Sequence, residues 1–304
     1  MQSAPILILG YARTENIWEM INLINKLGKR NLYLSLDGPR NEVVANAQKQ
    51  LLDDIKDSKI DIRIRRNMNN QGVAVSVISG IDWFFSSEEF GIIIEDDLHF
   101  KSDFISWCEW AGEHFSGDSQ VFMISGNRFM GDEVISYTHY PQTWGWATWR
   151  NRWQKLRPLY SGKPFQISNV VSYVSNFWTG GTLRILSTVT DTWDILIAKY
   201  MKENSLITVL PPRNLVSNLG ADQHSTHTSL ETFPIAFPIK SLSLDSLKVA
   251  TKESCEIISN DDFLEREVFH IRYRHWFSLL KNLPLILYRN KLNKRLLRND
   301  SIEL

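Results

Sequence analysis

A chain of 304 residues that is 43% hydrophobic and 22% charged has the composition of an ordinary folded protein, with length for one large α/β domain or a domain plus a smaller lobe. Its 34 basic and 34 acidic residues cancel, so the charge balance gives no pull toward nucleic acid. Two cysteines, Cys108 and Cys255, make neither a metal-ligand spacing nor a disulfide framework, and no apolar run reaches the roughly 18 residues of a membrane span. A cytoplasmic protein is expected, with a peripheral position on a membrane face left open.

Pro5 to Leu9 is an apolar run closed by Gly10 and predicts a first buried strand. Ile17, Met20, Ile21, Ile24 and Leu27 then recur at helical spacing, with Thr14 as the candidate cap and Gly28 as the stop. Arg13, just past the strand, suits either a diphosphate or a surface ion pair. Leu32 to Leu36 predicts a second strand, and Asp37-Gly38-Pro39-Arg40 turns out of it. Strand, helix and strand in about 32 residues make a βαβ unit. The unit lacks G-x-G-x-x-G, which disfavours a dinucleotide fold. A helix is predicted over 41–55, a strand of period two over 60–65, a polar loop over 67–72 and a helix over 73–85.

The chain is organised around Phe90-Gly91-Ile92-Ile93-Ile94-Glu95-Asp96-Asp97. Three consecutive isoleucines predict a strand buried on both faces of a parallel sheet. Unpaired charge in such a core costs several kcal/mol. The strand must therefore release Glu95, Asp96 and Asp97 at its carboxyl end, where open α/β sheets bind ligands. Three adjacent carboxylates repel one another, and hard oxygen donors suit Mg²⁺ or Mn²⁺. A solvated acidic turn is the plainer alternative.

Farther on, 100–115 has helical spacing and Val121 to Arg128 predicts another buried strand that ends in a polar loop. In Trp144-Gly145-Trp146-Ala147-Thr148-Trp149, three indoles suit an aromatic wall for a sugar or, equally, a packed core. Asp191-Thr192-Trp193-Asp194 opens a helix, where either carboxylate suits the N-terminal cap. A short strand is predicted over 207–212, followed by Asn214-Leu215-Val216-Ser217-Asn218-Leu219-Gly220 and by His224 and His227. From Arg266 a basic, aromatic, amphipathic tail interrupted by Pro284 suits an anionic membrane surface or packing on the domain.

This order of elements, with an early strand ending near Arg13, a strand ending in Asp37, a Gln-Gly loop and then Ile-Glu-Asp-Asp-Leu, resembles the GT-A glycosyltransferases. The likeness is to the N-acetylglucosaminyltransferase I type and its bacterial surface-polysaccharide relatives, and it covers about residues 5–230. It implies an α/β, Rossmann-like, mostly parallel sheet with flanking helices, a nucleotide-sugar half over 1–130, an acceptor half over 131–250 and a basic tail over 251–304. It implies that Asp97 holds Mn²⁺ or Mg²⁺, joined by His227 or else His224, with Glu95 and Asp96 facing ribose and metal-bound waters. Asp37 is then placed near the nucleoside, Arg13 near the diphosphate, and Trp144 and Trp146 near the donor sugar and acceptor. Asp194, or else Asp191, becomes the base. The implied activity is inverting transfer of a hexosyl or N-acetylhexosaminyl group from a UDP-sugar to a glycan or lipid-linked oligosaccharide. A sugar-phosphate nucleotidyltransferase and a non-catalytic glycan-binding module are the rivals, and retention of configuration stays open.

Overall fold

Among the described residues, six of the ten strands and five of the six α-helices follow from local patterns of apolar residues, and the computed structural model assembles them around one sheet. It describes residues 3–129, 134–160, 193–219 and 239–244, together with Asp261, Phe263 and Leu264. Among these the first half reads β1 (Ile6–Gly10), α1 (Thr14–Lys26), β2 (Leu32–Leu36), α2 (Glu42–Ser58), β3 (Arg63–Arg66), α3 (Val73–Phe85) and β4 (Phe90–Glu95). The second half reads β5 (Leu98–Phe100), α4 (Ser102–His114), β6 (Val121–Ser125), β7 (Ser136–Thr138), β8 (Trp146–Trp149), α5 (Arg150–Leu156), α6 (Ile195–Glu203), β9 (Ile207–Leu210) and β10 (Val216–Asn218).

Eight strands form the central sheet in the order β3-β2-β1-β4-β8-β6-β9-β7, and β5 pairs with β10 in a separate ribbon. β3, β2, β1 and β4 are mutually parallel; β8 runs against both β4 and β6; β9 is parallel to β6, and β7 is antiparallel to β9. The sheet is therefore mostly parallel with helices on both faces, as the alternation of patterns predicts. The antiparallel insertion of β8 was not legible, because Trp146 to Trp149 carries no mark of direction.

Three isoleucines of β4 show why both faces are covered. Ile92 and Ile94 pack with Ile6, Ile8 and Leu34 beneath α1, α2 and α4, whereas Ile93 packs with Leu7, Leu9 and Tyr33 beneath α3 and α6. All three are wholly buried, and truncating one to alanine costs about 2–5 kcal/mol. Two expectations need correction. β3 starts at Arg63 rather than at residue 60, and its exposed arginines suit an edge strand that must not recruit another. Thr14 is not the cap of α1: Arg13 holds that position and gives no side-chain capping bond, because an acceptor from elsewhere serves the helix start.

No helix among the described residues is long and apolar enough to cross a membrane. The tail from Arg266 lies outside the described residues.

Candidate functional site at the carboxyl edge of the sheet

Parallel register aligns the strand ends. Gly10 pairs with Leu36 and Leu9 with Glu95, so Arg13, Asp37 and the acidic triplet emerge along one edge of the sheet. Each then takes up a different task.

Asp37 is buried, and its carboxylate is fully engaged. It accepts from the backbone N–H of Gly38 (2.9 Å) and Gln71 (3.0 Å) and from the side-chain amides of Asn67 (3.0 Å) and Asn70 (2.9 Å). These bonds fix the 67–71 loop against Gly38, where an added Cβ would collide with the Asn69 carbonyl group. Beneath them Gln48 donates to the carbonyls of Tyr11 (2.8 Å) and Asp37 (2.9 Å), tying the ends of β1 and β2 together.

Asp96 is likewise committed. Its Oδ2 accepts from the N–H of Tyr11 at 2.7 Å, and Arg13 Nη1 reaches its Oδ1 at 3.2 Å. A carboxylate at the start of α1 meets N–H groups that the helix cannot satisfy itself, and the positive end of the helix dipole favours it. Asn16 completes the turn by donating to the carbonyls of Asp96 (2.7 Å) and Leu98 (2.9 Å). Arg13 is thus placed at the edge by Asp96.

Glu95 and Asp97 are in the opposite condition. Burial, then the charges of Asp97, Asp194 and Asp96, push the Glu95 carboxyl well above its usual range. Asp97 is pushed up to about 6, first by burial and then by the charge of Asp96, against the lowering effects of Arg13 and of a hydrogen bond from Asn218. That bond is 3.3 Å long, and the Leu219 N–H donates to the Asp97 carbonyl at 2.6 Å. The Asn214-to-Leu219 segment therefore stitches the acidic turn to the end of β6, where Leu215 N–H donates to Gly126 and the Arg128 N–H to Asn214 Oδ1.

Asp194 joins this group from a distant part of the chain. Alternation along β4 turns Glu95 to the same face as Ile93, and that face carries Trp193, Ile197 and Met201. The electrostatic effect of Asp194 on Glu95 agrees with that placement. Trp193 is buried, its ring stacks on Trp146 at 5.9 Å, and its carbonyl accepts from Tyr160 Oη at 2.6 Å. Asp194 lies at the cap position of α6, and its side chain makes no capping hydrogen bond to that helix. Burial first, and then the Asp194 charge, raise the Tyr160 phenol.

The tryptophan run is divided between the two faces. Trp146 is wholly buried under Trp193, whereas the partly exposed Trp144 meets Phe129 edge-on at 5.4 Å and packs with the opposite core. A single wall of three rings is not formed: Gly145, at φ +64°, breaks strand alternation between Trp144 and Trp146, and within β8 the three-residue step from Trp146 turns Trp149 to the other face. Asp191, His224 and His227 lie outside the described residues.

Among the described residues no three His, Cys, Asp or Glu side chains converge as a ready-made metal cage. The donor set nonetheless suits a cation that a ligand helps to hold: with Asp96 committed, Asp97 and Glu95 retain oxygen lone pairs, and both resist ionising without a nearby positive charge. Sequence reasoning missed Asn16, Gln48, Tyr160 and Asn218. Asparagine in Asn214-x-x-x-Asn218 was the available signal, since a buried amide beside a carboxylate is a hydrogen-bond donor rather than a turn former.

No protein-family model matches the chain, and neither does any curated protein sequence. Among solved structures the chain is similar to HddC from Yersinia pseudotuberculosis, at 9% identity over 55% of this chain and 84% of that one, with a TM-score of 0.36. It is also similar to the mannosyltransferase PcManGT from Pyrobaculum calidifontis, solved with GDP-Man and Mn²⁺, at 11% identity over 70% of this chain and 57% of that one (TM-score 0.38). A third likeness is to a UDP-glucose pyrophosphorylase complexed with UDP-glucose, at 8% identity over 69% and 90% (TM-score 0.39). Overlaps this loose leave the chemistry to be argued from the side chains.

Proposed function

We propose that this protein is a metal-dependent glycosyltransferase that moves a sugar from a UDP-sugar to a glycan or lipid-linked acceptor with inversion at the anomeric carbon. The observation that carries the reading is the pairing of two poorly compensated carboxylates, Glu95 and Asp97, with a third, Asp194, on the face of β4 that Glu95 shares. Asp97, with Glu95 beside it, holds Mn²⁺ or Mg²⁺, which when bound supplies Lewis-acid stabilisation of the departing diphosphate.

The residues of the chain divide the remaining work. Asp194 accepts the proton of the acceptor hydroxyl as that oxygen bonds to the anomeric carbon, and the bond to the diphosphate breaks with its electron pair. Arg13, held at the start of α1 by Asp96, offers positive charge toward the diphosphate. Asp37 acts at the nucleoside end by ordering the 67–71 loop. The tail from Arg266 to Arg298 holds the enzyme against an anionic membrane surface where a lipid-linked acceptor for surface polysaccharide is presented.

Calorimetric titration of UDP, GDP and CMP with and without Mn²⁺ tests this. Metal-dependent binding of UDP that is lost in Asp97→Asn is expected. Folded wild-type protein that binds none of the three nucleotides would overturn it.

A further inference from the structure

A chain of contacts that begins in α3 ends on the peptide just ahead of Asp194. Asp82 of α3 accepts from Trp153 Nε1 of α5 at 2.8 Å and from Arg157 Nε at 2.6 Å. It thereby grips both α5 and the 3₁₀ turn Arg157–Tyr160 that follows it. Trp153 is buried, and the ring of Tyr160 stacks on it with centroids 5.8 Å apart. Tyr160 Oη in turn donates to the Trp193 carbonyl at 2.6 Å.

The Trp193 carbonyl and the Asp194 N–H belong to one rigid peptide plane. Its oxygen is held by the Tyr160 hydroxyl, and Trp193 itself is anchored by the stack of its ring on Trp146 of β8, 5.9 Å away and 25° from parallel. On the far side of Asp194 the helix takes over, with the Ala198 N–H donating to the Asp194 carbonyl at 3.1 Å. Backbone held on both sides fixes the direction of the Asp194 Cα–Cβ bond, and only the side chain's own rotamers are left to choose. The charge of Asp194 is felt by Glu95 and by the Tyr160 phenol alike, as this arrangement requires.

A phenylalanine at position 160 could stack on Trp153 as well as tyrosine does. The hydroxyl carries a cost of desolvation that burial of a plain ring would not, and the bond to the Trp193 carbonyl is what it gains. We infer that Tyr160 is a positioning residue, whose hydroxyl fixes the peptide ahead of Asp194 and so sets that carboxylate against the end of β4. The service of Asp194 as a base once it is so placed rests on the transferase reading; the anchoring itself does not.

Tyr160→Phe keeps the ring and removes the bond, and two measurements on the full chain follow the loss. The first is release of UDP from UDP-glucose, UDP-galactose and UDP-N-acetylglucosamine, with Mn²⁺ present and methyl glycosides as acceptors. For the donor that turns over, kcat is expected to fall about tenfold while its KM stays within about twofold of wild type, since a displaced base leaves the donor contacts in place. Added to Asp194→Asn, the same substitution should change the residual rate by less than about twofold, because a residue that acts through Asp194 then has nothing to position. The second measurement needs no activity. Hydrogen exchange at the Ala198 N–H should quicken about tenfold in Tyr160→Phe, with exchange in α3 unchanged. Unchanged kcat, equal losses in both backgrounds, or unchanged exchange at Ala198 each overturn the inference. Wild-type protein that releases no UDP removes the transferase reading, and exchange alone then decides the anchoring. If Tyr160→Phe does not fold, Asp82→Asn takes its place: it keeps an acceptor for Trp153 and drops the ion pair with Arg157, and the same pattern with a smaller loss is expected.

Discussion

The carboxyl edge of the sheet has two sides that treat polar atoms differently. Over β1 and β2, the buried carboxylates of Asp37 and Asp96 are surrounded by N–H donors, and Gln48 ties their loops together. At the end of β4, Glu95 and Asp97 are pushed toward protonation. Satisfied charge makes a rigid frame; unsatisfied charge is retained only where something else supplies the partner. The first side is scaffold, and the second is where ligands are expected to complete the structure.

The sharpest way to break this comparison is at Asp194. Asp194→Asn is expected to lower transfer by about 10²–10⁴-fold, the range of a lost general base, while UDP binding in calorimetry stays within a few-fold of wild type. Unchanged turnover would return Asp194 to the role of a helix-start residue. On the scaffold side the effect should be on stability instead. Asp37→Ala leaves two backbone and two side-chain donors without their shared acceptor, and about 2–4 kcal/mol of stability is expected to go, read by urea unfolding.

Titration separates the two sides next. Asp97 carries a folded pKa of about 6 against an ordinary 3.8, so between those values the folded state holds the proton more tightly than the unfolded one. Stability is therefore lost as pH rises from about 4 through 6, and Glu95 acts in the same direction. Melting temperature should fall over that window without added metal, and millimolar Mn²⁺ should restore it at pH 7. Asp97→Asn is expected to flatten the slope.

What was legible in the sequence follows the same division. The elements of the first half from β1 to β4 and the acidic turn were readable, because burying a run such as Ile92-Ile93-Ile94 leaves few choices for the charges that follow. The commitments of individual carboxylates were not. Asp96 and Asp97 are neighbours of one residue type, yet one is taken up by the Tyr11 N–H and Arg13 and the other meets Asn218, and both partners arrive through tertiary packing. Trp144 and Trp146, two residues apart, would share a face of a continuous strand, and only the positive-φ turn at Gly145 ahead of β8 shows that they pack in opposite cores.

The smallest effect tests the finest part of the comparison. Asn218 donates to Asp97 Oδ2 at 3.3 Å, a long bond that favours the charged carboxylate and opposes the push from burial. Asn218→Ala removes that help, so the Asp97 pKa should rise beyond about 6 and the pH at which stability is lost should move upward with it. The stability change at fixed pH should be about 0.5–1.5 kcal/mol, as for an ordinary hydrogen bond, and Mn²⁺ affinity at pH 6 should fall because more of the site is protonated. At pH 8, where Asp97 is ionised in both proteins, the affinities should converge. A gap that persisted at pH 8 would mean that Asn218 positions the carboxylate rather than tuning its charge.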